Sequence, residues 1–203
     1  MDWLTATDAL TRKLDPKHVS SRKQGGGQVQ YVEGWHAIAE ANRIFGHGAW
    51  ARETVELRQL GEPRETEGKF RVEYLARVRI TVWLDGPPVV REGCGFGQGI
   101  DRDVGQAHES ALKEAETDAM KRALMTFGNP FGLALYDKSR ADVGVDASPA
   151  DVERAVAIMA AATTVEALTA AWRALPQHVG QDERVKAAAA VRKTHLIQNK
   201  EAA

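Results

Sequence analysis

A chain of 203 residues with 43% hydrophobic and 27% charged side chains has the make-up of a folded domain of ordinary size plus a small appendage. Its formal net charge of −1 excludes any reading from bulk positive charge, and basic and acidic residues stay balanced on both sides of residue 140. Affinity for nucleic acid would have to come from where the basic side chains sit. The single cysteine, Cys94, excludes an internal disulfide and a cysteine-rich zinc site. No apolar run reaches the roughly 20 residues of a membrane helix. The N-terminal stretch MDWLTATDALTRKLD has early acid and no basic run, unlike a secretory signal, so a reducing, intracellular compartment is expected.

In chain order, residues 3–14 read as a short amphipathic helix that stops before Pro16. SSRKQGGGQ follows as a loop, and QVQYV at 28–32 alternates like a strand. Residues 33–46 place Trp35, Ile38, Ala39, Ala41 and Ile44 near one helical face, with Gly46 as C-cap. Three stretches with strand period come next: AWARETVELRQL, KFRVEYLARVRITVWL and VVREGCGF. In the second, Phe70, Val72, Tyr74, Ala76, Val78, Ile80 and Val82 share one face, the mark of an antiparallel sheet with one wet side. GEPRETEG and DGPP are expected as hairpin turns, making 47–97 a curved three-stranded meander. Residues 104–127 form the strongest helix, with Ala107, Ala111, Ala115, Ala119 and Ala123 in a stripe that permits close packing. Gly128 and Pro130 stop it. The expected fold is therefore α+β, a β-β-β-α core whose antiparallel curved meander packs on a long helix. Domain boundaries are expected at 1–142, with a linker at 143–148 and a helical C-terminal module at 149–203. Ser148-Pro149 starts that module, and its apolar period suggests two or three helices.

Three stretches have the residue types for chemistry, and each has a plain structural reading beside it. SSRKQGGGQVQYVEG combines glycines that permit close backbone approach with Arg22, Lys23 and Tyr31, yet it also fits a flexible connection. GCGFGQG at 93–99 is neither a dinucleotide fingerprint nor a phosphate loop, and its alternate glycines suit a strand that another element approaches closely. TDAMKRALMTFGN brings Lys121 and Arg122 together, but Asp118–Arg122 and Glu109–Lys113 at i,i+4 also make an ordinary solvated face. Six scattered histidines give no metal-ligand pair, and no nucleophile motif is present. No catalytic residue, metal ligand or cofactor is expected.

Together and in this order, these stretches resemble the Rad52 family of single-strand annealing proteins. The matching segments are VSSR at 19–22, GGGQ at 25–28, YVEGW at 31–35, ANRIFGHGAW at 41–50 and GKFRV at 68–72. GFG at 95–97, TDAMKRAL at 117–124 and FGNPFGLALYDK at 127–138 complete the set. The similarity covers about residues 5–140; the tail has no counterpart. The resemblance implies a non-enzymatic protein whose copies close into a ring and hold single-stranded DNA in a basic groove. By position, that groove would include Arg22, Lys121 and Arg122, with Lys23 beside them. Met125 stands where the family has a further basic residue, and Lys23 or Arg43 could compensate. An outer DNA-contacting surface would map to Tyr31, Lys69, Arg102 and Lys138. Implied partners are single-stranded DNA and further copies of the chain, with a protein partner for the C-terminal helices and no membrane. A bacterial or phage cytoplasm, in association with the nucleoid, is the expected setting. Two rivals remain open: a metal-dependent nuclease or nucleotide-processing enzyme using the clustered acids of 109–118, and a passive strand-coating protein.

Overall fold

The computed structural model describes residues 2–201, and the chain divides into two compact units between Val143 and Gly144. The first unit begins with helix α1 (Trp3–Thr11), capped by the Asp2 carboxylate, which accepts from Thr5 N at 2.7 Å. A hairpin of β1 (Val19–Gln24) and β2 (Gly27–Val32) follows, then helix α2 (Gly34–Phe45). A four-stranded sheet comes next, made of β3 (Trp50–Gln59), β4 (Arg64–Thr66), β5 (Lys69–Val82) and β6 (Val89–Asp101). Helix α3 (Val104–Met125) packs across it, and two short 3-10 turns, Asn129–Phe131 and Leu133–Leu135, close the unit. This is the α+β architecture that the strand alternation and the long helix imply.

Strand β5 is central and antiparallel to all its neighbours: β6 on one side, β3 and the short β4 on the other. Its inward set is the alternating one, with Val72, Val78, Ile80 and Val82 almost fully buried. Register slips between Thr54 and Glu56 of β3, an extra residue that bends and twists the strand.

The helix–sheet contact is unusually close. Cβ atoms added at Gly93, Gly95, Gly97 and Gly99 would lie 2.4, 2.2, 2.0 and 1.8 Å from backbone atoms of α3. Opposite them, Ala107, Ala111, Ala115, Ala119 and Ala123 are all fully buried. The periods match: two strand residues advance ~6.7 Å and four helical residues ~6 Å. Each glycine therefore meets a successive alanine turn, the two elements running in opposite directions.

Several sequence expectations need correction. The SSRKQGGGQ stretch at 20–28 is part of a hairpin and not a loop: β1 and β2 pair along their whole length around Gly25 and Gly26, both at positive φ. GEPRETEG is more than a turn, since Arg64–Thr66 pairs with β5. The third strand runs on to Asp101, because its glycines continue to pair with β5 to Phe70. The first helix ends at Thr11, three residues early, because Leu14 leaves it to pair with Val143, donating N–H to Asp142 at 2.8 Å. The buried face of α2 is rotated from the expected one. Trp35 and Ile38 are 68% and 37% exposed, while His36, Ala37 and Phe45 are buried beside Ala41 and Ile44. Phe45 turns inward because three aromatic rings wait there, Trp3, Phe127 and Phe131, at centroid distances of 6.5, 5.2 and 6.0 Å.

The second unit has helices α4 (Pro149–Ala161), α5 (Val165–Ala174), α6 (Gln177–Gly180) and α7 (Glu183–Glu201). Ser148 caps α4 through its hydroxyl, which accepts from Asp151 N at 3.1 Å. A single-turn helix is added to the expected two or three, because Pro176 breaks the run after α5. Val152, Met159, Leu168, Val179 and Val185 form its core.

Gly95→Ala should cost about 3 kcal/mol or more, since its methyl would overlap Ala119 N and Ala115 O, which belong to a rigid backbone. Gly48→Ala, with open space around it, should stay within about 0.5 kcal/mol of the parent. Urea unfolding followed by circular dichroism measures both.

Candidate nucleic-acid interface

The β1–β2 hairpin, the C-terminal half of α3 and the 3-10 turns enclose a groove of about 820 Å³ in the first unit. Hairpin register pairs Arg22 with Val29 and Ser20 with Tyr31, so Arg22 and Tyr31 are diagonal neighbours on one face. The Arg22 guanidinium lies 5.5 Å from the Tyr31 ring centroid, and the Lys121 ammonium 5.1 Å from the same ring. Two cations from segments about a hundred residues apart thus meet over one aromatic ring, a favourable arrangement with its negative π-face.

Lys121 leaves the last turns of α3 opposite the buried alanines, and Arg122 leaves at their flank. Arg122 donates to Asp118 at 2.9 Å, which holds the guanidinium above its usual pKa. Burial lowers the Lys121 pKa, with Arg22 and Arg122 adding to that effect and Asp118 and Glu33 opposing it. Hydrogen bonding to Glu33, then desolvation and the Glu33 charge, raise the Tyr31 phenol pKa, with Arg22 opposing them. Five cations line the groove (Arg22, Lys113, Lys121, Arg122 and Arg140) against three carboxylates (Glu33, Glu114 and Asp118). The local excess is positive although the chain as a whole is not.

Three sequence-predicted residues, Arg22, Lys121 and Arg122, come together here, and Tyr31 joins them in the same groove. Lys23 does not line it, because strand alternation turns it to the other hairpin face. Arg43 is elsewhere too, held by Glu40 through a 2.6 Å contact. Lys69 and Arg102 are exposed, each next in the chain to one residue of the Phe70–Asp101 pair. Lys138 is exposed in the turn after Leu133–Leu135.

Sequence reasoning did not assign Lys113, Arg140, Tyr136 or Phe96 to the groove. Arg140 takes a positive φ of 56°, and its Nη1 is buried with no hydrogen-bond partner. It lines the same groove as Met125. Tyr136 and Phe96, 65% and 49% exposed, add aromatic surface beside Tyr31. Phe96 and Tyr136 sit within the GFG and FGNPFGLALYDK segments, the signal that could have found them, whereas Arg140 lies outside every matching motif and enters through tertiary packing.

The acids of α3 do not converge. Glu109 pairs with Lys113, Glu114 accepts from Gln98 N at 2.9 Å, Glu116 from Thr54 Oγ1 at 2.6 Å, and Asp118 from Arg122. Among the described residues no group of three or more His, Cys, Asp or Glu is placed to hold a metal ion. The fold does stack two of the scattered histidines, His18 and His36, at 3.9 Å, and burial first, then the charge of His18, lowers the His36 pKa. No helix among the described residues is long and apolar enough to cross a membrane.

Comparison with known proteins agrees with the motif order. The chain is 40% identical over 131 residues to the DNA repair and recombination protein RAD52 of Kluyveromyces lactis, covering 64% of this chain and 29% of that one. It is 41% identical over 135 residues to rad22 of Schizosaccharomyces pombe, also named a DNA repair and recombination protein, covering 64% and 28%. RAD52 of Saccharomyces cerevisiae is 40% identical over 131 residues, covering 64% and 27%. The chain thus spans less than a third of the length of these relatives. All three are fungal and lend no support to a bacterial or phage origin. A profile described as Rad52/22 family double-strand break repair protein matches residues 4–153, three quarters of the chain, and the protein belongs to that family.

Proposed function

We propose that this chain binds single-stranded DNA along the groove of Arg22, Tyr31, Lys121, Arg122 and Arg140, and that a ring of its copies anneals complementary strands in recombination and repair. The convergence of Arg22 and Lys121 on Tyr31 carries this reading. Contacts from such cations reach phosphate, hold the strand without reading its sequence, and leave base edges free for pairing. A few cations per subunit bind weakly alone, but repetition round a ring joins them into one track of high effective concentration. Pairing releases about 1.4 kcal/mol per base-pair step, so the reaction needs no nucleotide hydrolysis and no cofactor. Lys69 and Arg102 would form a second, outer DNA contact, with Lys138 as a further basic position.

Self-association has its own support. Among the described residues β3 and β6 each pair only with β5, so both outer edges of the sheet carry unpaired backbone groups. Trp35 and Trp83 are 68% and 47% exposed in the same unit. Exposed Tyr136 and Phe96 favour one alternative, a strand-coating protein that stacks bases. Annealing of complementary oligonucleotides in the presence of EDTA separates the readings. Coating alone gives no acceleration, and a metal-dependent nuclease gives cleavage that EDTA abolishes.

Lys121→Ala, Arg122→Ala and Arg140→Ala should each weaken binding to labelled oligothymidine about tenfold, the loss of one charged hydrogen bond. The log–log salt slope should become shallower by ~0.7 for each phosphate that is no longer neutralised. Lys23→Ala, on the other hairpin face, should leave the slope unchanged. Anisotropy across a salt series reads all four, and unchanged affinity in the first three would place the strand elsewhere.

Light scattering at micromolar concentration should give a mass well above that of a dimer. A monomer would overturn the ring.

A chain ending after residue 145 should still assemble, bind and anneal, because every groove residue lies in the first unit. Loss of DNA binding in a truncation that stays folded and assembled would show that the helical unit shares the site.

A further inference from the structure

Between α5 and α7 the helical unit leaves an open cleft of about 300 Å³. Leu168 and Trp172 of α5 and Ala189 of α7 supply apolar wall, and Arg173, Lys186 and Lys193 stand at the rim. The cleft exists because α7 presents a run of alanines to α5, and such short side chains do not fill the space between two helices. Leu168 at its base is 5% exposed, whereas Trp172 is only half-buried.

Charge selects the occupant. Lys186 is paired with Glu183 at 2.7 Å. Arg173 and Lys193 have no carboxylate partner among the described residues, and no acidic residue lines the cleft. A nucleic-acid track sets a row of cations beside exposed stacking rings. Here the cations surround an aliphatic slot between helices, the arrangement that receives the apolar anchors of an amphipathic segment. We propose that this cleft docks an acidic, amphipathic peptide of a partner protein. One or two of its apolar side chains enter between α5 and α7, and flanking Asp or Glu meet Arg173 and Lys193. The role is separate from the DNA groove and does not depend on it.

The test is selection of a displayed library of random twelve-residue peptides on the full chain. Recovered peptides should carry Asp and Glu around Leu, Phe or Trp. A synthetic peptide from that set should bind at least tenfold more weakly to Arg173→Glu/Lys193→Glu, and more weakly as salt rises. Ala190→Leu, which fills the cleft without changing charge, should weaken it as well. Circular dichroism of both variants should match the parent, since the changed side chains are exposed. Peptides without acidic enrichment, or equal binding to either variant, would overturn the proposal. So would a loss of oligothymidine affinity in the charge-reversed protein, which would give the rim to nucleic acid. A changed oligomer mass would give the cleft to a second copy, with the same consequence. Intact oligothymidine binding beside abolished peptide binding keeps the two functions distinct.

Discussion

Four glycines of β6 let the backbone of α3 lie almost on the backbone of the strand, and the position of the groove depends on that approach. An ordinary side chain at any of them would push the helix outward by ångströms, since the overlaps are with backbone and not with movable side-chain tips. Close contact brings many weak dispersion contacts and favours Cα–H···O contacts between the elements. It also makes the helix rigid relative to the sheet. A helix of 22 residues is ~33 Å long, so its placement at the Ala107 end is transmitted to Lys121 and Arg122 at the other.

The opposite wall of the groove depends on that placement too. The hairpin contributes Arg22 and Tyr31, and the Tyr31 ring is held between cations from two walls. Glu33, Glu114 and Asp118 keep this cluster from being a bare concentration of positive charge, which would destabilise the free protein. Partial burial has already removed some of the water from Lys121, and its lowered pKa reflects that desolvation. Because the positive excess is local, a net charge of −1 is no obstacle to anion binding.

The two units differ in composition and in the surfaces they present. The first gathers a local excess of positive charge on a groove and leaves sheet edges and two tryptophans exposed. The second uses alanines that favour helix formation but leave little side-chain volume between α5 and α7. The resulting cleft is a by-product of small residues, with Arg173, Lys186 and Lys193 at its rim.

The sequence alone determined what is periodic or collinear. Period-two alternation located β5 and its buried face, and the period-four alanine stripe located α3, because both patterns arise from local backbone geometry. Eight motifs in order identified the family and pointed to Arg22, Lys121 and Arg122. Tertiary structure decided what depends on contacts between distant segments. It made a hairpin of the glycine loop, since pairing across Gly25 and Gly26 is a property of two strands and not of one. It rotated α2 so that Phe45, not Trp35, faces inward, because both helix faces are apolar and only the waiting rings discriminate. It turned Lys23 away from the groove and brought Arg140 into it, through strand alternation and a positive-φ turn that no motif records. Local propensities specify elements, whereas the choice among equally apolar faces and equally basic side chains is made when those elements pack.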